Sequence, residues 1–258
     1  MTLATITRVG GPTTVVEFGG WRLLTDPTFD PPGRRYGFGW GTSSRKLTGP
    51  AIPVAGLGAV DVVLLTHDHH GDNLDDAGRA LLADVGTVVT TTSGARRLGR
   101  GARGLRAWET TRLSHPGRPD IEITATPCRH GPPLSTVLVG EVIGFALRWE
   151  GQRNGAFWCT GDTVLHRGVL AVADRVRVGT VLLHLGGVRF PITGPIRYSM
   201  TARQALRLVD AVRPHVAIPV HYEGWQHFRE SPESVERAFA DRPEVRWLPL
   251  GHPTTVTV

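Results

Sequence analysis

The stretch Asp61-Val-Val-Leu-Leu-Thr-His67-Asp68-His69-His70-Gly71-Asp72-Asn73-Leu74-Asp75-Asp76 constrains this chain more than any other. Its apolar run, Val62 to Leu65, predicts a fully buried strand. Asn73, Asp75 and Asp76 are good caps for a helix over Ala77 to Leu82. Between strand and helix lies a turn crowded with imidazoles and carboxylates, at the carboxyl end of a buried strand, where α/β proteins build their sites. His67 and His69 alternate on one face of an extended segment, so both can reach one metal ion, while Asp68 between them points away. The turn that follows can bring His70 or Asp72 round from another side. A polar turn that only caps a helix does not need this spacing, which reads as metal binding. Three protein ligands and an open position would make the site catalytic, and four closed ligands structural.

The rest of the chain repeats the pattern. Thr5 to Val9, Thr13 to Phe18 and Trp21 to Thr25 predict three short strands that stop at Asp26-Pro27. Asp26 reads as either a turn cap or a carboxylate that orients a ligand histidine. Residues 28–58 predict a long irregular loop in which Tyr36, Phe38 and Trp40 alternate with glycine, either a substrate lid or a loop pinned by its aromatics. Strands are expected over Val85 to Thr90, Gly104 to Trp108, Ile121 to Thr126, Glu141 to Trp149, Gly155 to Thr160, Thr180 to Leu185, Val216 to Val220, Val245 to Leu248 and Thr254 to Val258. Helices are expected over Ser93 to Leu98, Gly168 to Asp174, Thr201 to Val212 and Pro232 to Ala240. His67/His69, His130, Asp162 and His221 then fall at successive strand ends. Each alone has a plainer role in a turn, a cap or the core, but the set suits zinc-type hydrolysis. His184, on a buried strand, is a candidate acid or substrate contact beside its plainer role as a core histidine.

Composition narrows the function classes. The 258 residues suffice for one large domain, 1–258, and their 40% hydrophobic and 20% charged content is that of a soluble globular chain. No apolar run spans a membrane and no secretory pattern opens the chain, so the expected place is the cytoplasm. Cys128 and Cys159 belong to no C-x-x-C pair and read as buried thiols. The net charge of +6 is nearly all arginine, scattered rather than grouped around a nucleic-acid motif. A small-molecule substrate, anionic or not, is therefore expected rather than RNA or DNA. Ser93 and Ser199 lack a G-x-S-x-G setting, so no serine nucleophile is expected.

Leu24-Thr-Asp-Pro, Thr66-His-Asp-His, Thr160-Gly-Asp-Thr, Ala217-Ile-Pro-Val-His-Tyr and Gly224-Trp225 together resemble the metallo-β-lactamase superfamily. Within it the chain looks most like the branch of ascorbate-6-phosphate-lactonase-like and N-acyl-phosphatidylethanolamine-phospholipase-D-like proteins. The resemblance implies an α/β fold, a four-layer αββα sandwich, over nearly the whole chain. It implies one or two divalent ions per chain, zinc first, with manganese, iron or nickel as alternatives. By resemblance, His67, His69 and His130 hold the first metal, Asp162 bridges, and His221 serves the second. The family pattern H-x-H-x-D-H is broken in this chain, because Gly71 and Asp72 stand where an aspartate and a histidine are expected. Asp72 or His70 would then complete the second site. The implied activity is hydrolysis by a metal-bound hydroxide held by Asp162, acting on a lactone or cyclic ester first and a phosphodiester second. A metallo-nuclease and a non-catalytic metal- or ligand-binding member are the rival readings.

Overall fold

The computed structural model describes residues 3–99 and 101–258. In chain order the strands are β1 (Leu3–Gly10), β2 (Thr13–Phe18), β3 (Trp21–Thr25), β4 (Arg35–Gly37), β5 (Ser43–Arg45), β6 (Val62–Leu64), β7 (Thr87–Thr91), β8 (Ala102–Leu105), β9 (Thr110–Leu113), β10 (Ile121–Pro127), β11 (Ile143–Trp149), β12 (Ala156–Cys159), β13 (Val178–His184), β14 (Val216–Val220) and β15 (Thr254–Thr257). The helices are α1 (Asp76–Leu81), α2 (Thr92–Leu98), α3 (Thr136–Val139), α4 (Arg167–Leu170), α5 (Val172–Arg175), α6 (Ala202–Val212) and α7 (Pro232–Ala238). One sheet runs β15-β1-β2-β3-β6-β7-β8, the other β14-β13-β12-β11-β10-β9, and β4-β5 is a separate hairpin.

Period-two side chains make the layers. In β6, Val62 and Leu64 face the other sheet while Val63 and Leu65 face the outer helices. In β12, Phe157 and Cys159 face inward while Ala156 and Trp158 face outward. The inner layer joins Leu23 and Leu64 of the first sheet to Phe145, Leu147 and Ile218 of the second. Outside the first sheet lie Ala77 and Leu81 of α1 and Leu98 of α2. Outside the second lie Val169 and Val172 of α4 and α5, Ala205, Leu208 and Val209 of α6, and Val235 of α7. This is the αββα sandwich, with four layers and each inner strand buried on both faces. A fully buried Leu or Phe there contributes ~1.5–3 kcal/mol. Helix α6 starts where its sequence says, with Thr201 and Gln204 forming a reciprocal capping box. No helix among the described residues is long and apolar enough to cross a membrane.

Four sequence expectations change. Val245 to Leu248 forms no strand, only an isolated bridge from Val245 to Ala217. Pro219, in the edge strand β14, has no N–H to offer a further strand. The strand expected to reach Trp108 stops at Leu105, and Trp108 itself takes a left-handed φ of 71°. The helix expected over Gly168 to Asp174 is two short ones, α4 and α5.

Residues 28–58, expected to be irregular, hold the β4-β5 hairpin, and that hairpin is strapped down. Leu47 N donates to Gly224 O (2.8 Å) and Gln226 N to Arg45 O (3.0 Å). Lys46, the chain's single lysine, is buried and its Nζ meets Asp75 Oδ2 at 2.8 Å. Tyr36 is buried too, hydrogen-bonded to Asp30 and edge-on to Trp225. Of the alternating aromatics, Tyr36 is therefore an anchor, and Phe38 and Trp40 face a pocket.

Candidate metal centre

Six chemistry-bearing residues stand at carboxyl strand ends on one edge of the sandwich: Asp26 after β3, His67 after β6, His130 after β10, Asp162 after β12, His184 ending β13 and His221 after β14. Parallel pairing of β3 with β6, and of β12 with β13 and β14, is what brings these ends together. Asp26 (φ 33°) and His221 (φ 57°) are held in left-handed backbone, a strain that cores tolerate at functional positions.

Ligand-capable atoms converge within 4.8 Å of one another in three overlapping groups: His67, His69 and His70; His67, His130 and Asp162; and Asp72, Asp162 and His221. Hydrogen bonds fix which ring nitrogen is bare. Thr66 Oγ1 donates to Asp26 (2.9 Å), so the bond between it and His67 Nδ1 (3.0 Å) is donated by the histidine, and Nε2 is left with its lone pair. His130 Nδ1 donates to the Tyr198 carbonyl (2.6 Å), which leaves Nε2 bare as well. Asp26 thus reaches His67 through Thr66, and it also lies 3.5 Å from His184. Such outer partners orient ligand histidines.

The turn after His67 brings His70 to the cluster beside His69. His70 Nδ1 lies 3.1 Å from His67 Nε2, and the His70 ring faces His130 with centroids 5.0 Å apart. His69 donates its Nε2 proton to the Val139 carbonyl, which leaves its Nδ1 bare within the first group. Asp72, two residues past His70, meets His221 Nε2 at 3.4 Å. Asp68 points away into a bidentate pair with Arg97, at 2.8 and 2.6 Å. Gly71, where an aspartate was expected, has a packing cause: a Cβ there would lie 2.5 Å from Tyr36 Cδ1. Gly71→Asp is therefore expected not to restore a ligand but to push the hairpin off, costing about 1–3 kcal/mol or more in denaturant unfolding. Unchanged stability with one more bound metal would contradict this.

The electrostatics are those of a cation site. Asp162 is fully buried and neither of its oxygens accepts a hydrogen bond, although His221 Nδ1 lies 3.3 Å from Oδ1; Asp72 Oδ1 likewise accepts none. Burial, with Asp72 and Asp26 nearby, pushes the Asp162 carboxyl up to about 7 although His221 opposes it. Burial disfavours the His221 imidazolium, but Asp162 and Asp72 outweigh it and raise the group to about 9. Burial and the crowd of imidazoles depress His67 and His70, and burial takes His130 down to about 3, so these rings are neutral and ready to ligate. Buried, unpaired acceptors and bare imidazoles fit a divalent ion, which supplies the positive charge this cluster lacks.

His227 supports the second half of the cluster. Its Nε2 donates to Asp72 Oδ2 (2.9 Å), and its Nδ1 accepts from Ser44 Oγ (2.6 Å) on β5. The Trp225-x-His227 spacing just beyond His221 was the only signal of this in the sequence. His227→Phe is expected to loosen Asp72 and lower affinity for a second metal ~10–100-fold, with His227→Gln closer to the parent; equal titrations for all three would refute it. His184 is fully buried against Asp26 and Thr160 and does not line the pocket, so the substrate contact expected of it has no path. His115, His215 and His252 are exposed, as expected, and His166 is half-buried as the cap of α4.

A pocket of about 450 Å³ opens over His70, Asp72, His130 and His227. The 38–42 and 132–139 segments and the loop from Val188 to Tyr198 form its walls.

Comparisons with known proteins agree with this geometry. A family described as "Beta-lactamase superfamily domain" matches residues 21–222. A UPF0173 metal-dependent hydrolase of Pyrococcus furiosus is 25% identical over 196 residues, covering 75% of this chain and 80% of that protein. One of Cupriavidus taiwanensis is 27% identical over 246 residues, 88% of this chain and 76% of that protein. Among solved structures, an isothiocyanate hydrolase from Delia radicum gut bacteria superposes with a TM-score of 0.80 at 20% identity, over 98% of this chain and 99% of that one. A possible metal-dependent hydrolase from Veillonella parvula gives 0.80 at 18% identity, over 99% and 100%. With its strand-end histidines and carboxylates on an αββα sandwich, the chain belongs to the beta-lactamase superfamily, as a metal-dependent hydrolase of the metallo-β-lactamase fold.

Proposed function

We propose that this chain hydrolyses a lactone or other cyclic carboxylic ester, with one or two divalent ions at the strand-end cluster. His67, His70 and His130 would hold the first ion and Asp72 and His221 the second, with Asp162 between them. The ligand set that the resemblance implied has His69 in the place that His70 takes in this one. Imidazole and carboxylate donors suit zinc, and also manganese, iron or nickel. The bound ion supplies a water acidified toward a pKa of ~7 and an electrophile for the substrate oxygen.

The chain's residues do the rest. Asp26 and Thr66 hold the His67 ring in one tautomer, and His227 holds Asp72. His70, Asp72 and His130 face the pocket, so a substrate seated there lies against the cluster. No side-chain nucleophile is in play: the Ser135 hydroxyl, the only serine hydroxyl lining the pocket, is committed to the His130 carbonyl at 2.9 Å.

The observation that carries a carbonyl over a phosphoryl substrate is the pocket lining, which among the described residues includes no lysine or arginine. A phosphodiester or nucleic-acid strand calls for cationic partners at the mouth. The test is a screen of zinc- and manganese-loaded protein against lactones, phosphodiesters and isothiocyanates, the last because one structural neighbour bears that name. Lactone turnover with inert phosphodiesters is expected, and preferred phosphodiester cleavage would overturn the reading.

A further inference from the structure

The pocket over the cluster is built for more than a ring. We infer that the substrate is an uncharged ester or lactone carrying an apolar tail, which lies along the wall formed by Phe38, Phe190, Ile192 and Leu134 while its carbonyl meets the histidine floor. This rests on the hydrolytic reading above. Two sets of observations support it.

The first is the wall itself. Phe38, Val188, Phe190 and Tyr198 line the pocket as a continuous apolar surface. Phe38 packs on Phe190 with centroids 5.4 Å apart, and Phe190 on Tyr198 at 5.9 Å. Asp72, at the floor, is the only Asp, Glu, Lys or Arg among the described residues that touches the cavity. Asp72 is engaged with His221 and His227, so the lining offers an anionic tail no cationic side chain of its own. In a chain of net charge +6, Arg35 and Arg229 line an adjoining cleft on the far side of Phe190 and Ile192, and neither lines this pocket.

The second is the rim. Trp40, Leu134 and Ile192 all line the cavity, yet they stay 72%, 92% and 70% exposed. Three large apolar side chains kept in water around one opening continue the wall outward, and contiguous exposed apolar surface of this kind marks a binding groove. Continuity with the cluster at the floor commits the groove to the substrate's tail. The volume of about 450 Å³ lies in the range of small-molecule sites.

The test uses the zinc-loaded protein and two homologous series with the same ring, n-alkyl lactones and the hydrolysis-resistant n-alkyl lactams, each with a carboxylate-tailed analogue. Lactam affinity by calorimetry is expected to rise ~3–4-fold per methylene until the tail passes the rim, with lactone kcat/KM following. The carboxylate-tailed lactam should bind at least tenfold more weakly than its alkyl counterpart. Ile192→Arg should narrow or reverse that preference. Lactam affinity that ignores chain length, or a carboxylate tail that binds as well as an alkyl one, overturns the inference. Affinity that climbs with chain length while no lactone is hydrolysed upholds the tail site and defeats the lactonase reading, so the two failures stay distinct.

Discussion

Replacing Asp162 with asparagine is expected to stabilise the metal-free protein and cripple the metal-loaded one. The residue is fully buried, neither of its oxygens accepts a hydrogen bond, and its carboxyl is pushed from 3.8 up to about 7 by burial and by Asp72 and Asp26. Below pH 3.8 the folded and unfolded chains both carry the proton, so the carboxyl costs nothing. Between there and pH 7 the unfolded chain releases its proton while the folded one keeps it, so stability falls as pH rises. Above pH 7 the penalty is complete. Asp162→Asn should therefore match the metal-free parent near pH 4 and exceed it at pH 8, by on the order of a few kcal/mol. The difference between the two proteins reads Asp162 together with His221, whose imidazolium Asp162 helps to hold. With zinc present the sign reverses, because the parent gains the free energy of metal binding, ~4 kcal/mol at a thousandfold excess over Kd, and the variant loses most of it. Turnover should drop more than ~1000-fold, beyond the ~10–100-fold typical of a residue that only supports a ligand. A variant less stable than the parent without metal at pH 8 would mean that the pairing of Asp162 with His221, 3.3 Å away, outweighs the cost of burial.

The second large effect separates two adjacent histidines. His70→Ala is expected to lose the first metal and nearly all activity, whereas His69→Ala should keep the parent's metal content and lose less than ~10-fold. The geometry behind this is the His70 Nδ1 set 3.1 Å from His67 Nε2, against a His69 ring whose Nε2 is taken by the Val139 carbonyl. Elemental analysis of both variants decides it. Metal lost from His69→Ala and kept by His70→Ala would restore the spacing that the linear motif suggests.

That pair shows where the sequence stops speaking. Apolar runs ending in His67, His130, Asp162 and His221 gave away both the sandwich and the edge on which the site lies, because buried strands have a period and an end that one sequence displays. The choice between His69 and His70 depends on the path of a turn, and alternation along an extended segment says nothing once the segment bends. Gly71 looked like a missing ligand, but the cause is the Tyr36 ring packed against it, from a hairpin 35 residues earlier in the chain. The links from Ser44 through His227 to Asp72 and from Lys46 to Asp75 were hidden for the same reason. Each joins residues far apart in sequence, and neither has a local period or motif. His184 erred the other way: its place at a strand end suggested the site, and its fully buried ring serves Asp26 behind it.

The most direct test of the whole account is chelation and reconstitution of the parent protein on the best lactone from the screen. Metal-free protein should be folded and inactive, and titration with zinc or manganese should restore turnover in step with one or two equivalents bound. Full turnover by protein shown to be free of metal would contradict the assignment of His67, His70, His130, Asp72, Asp162 and His221 as a catalytic metal centre.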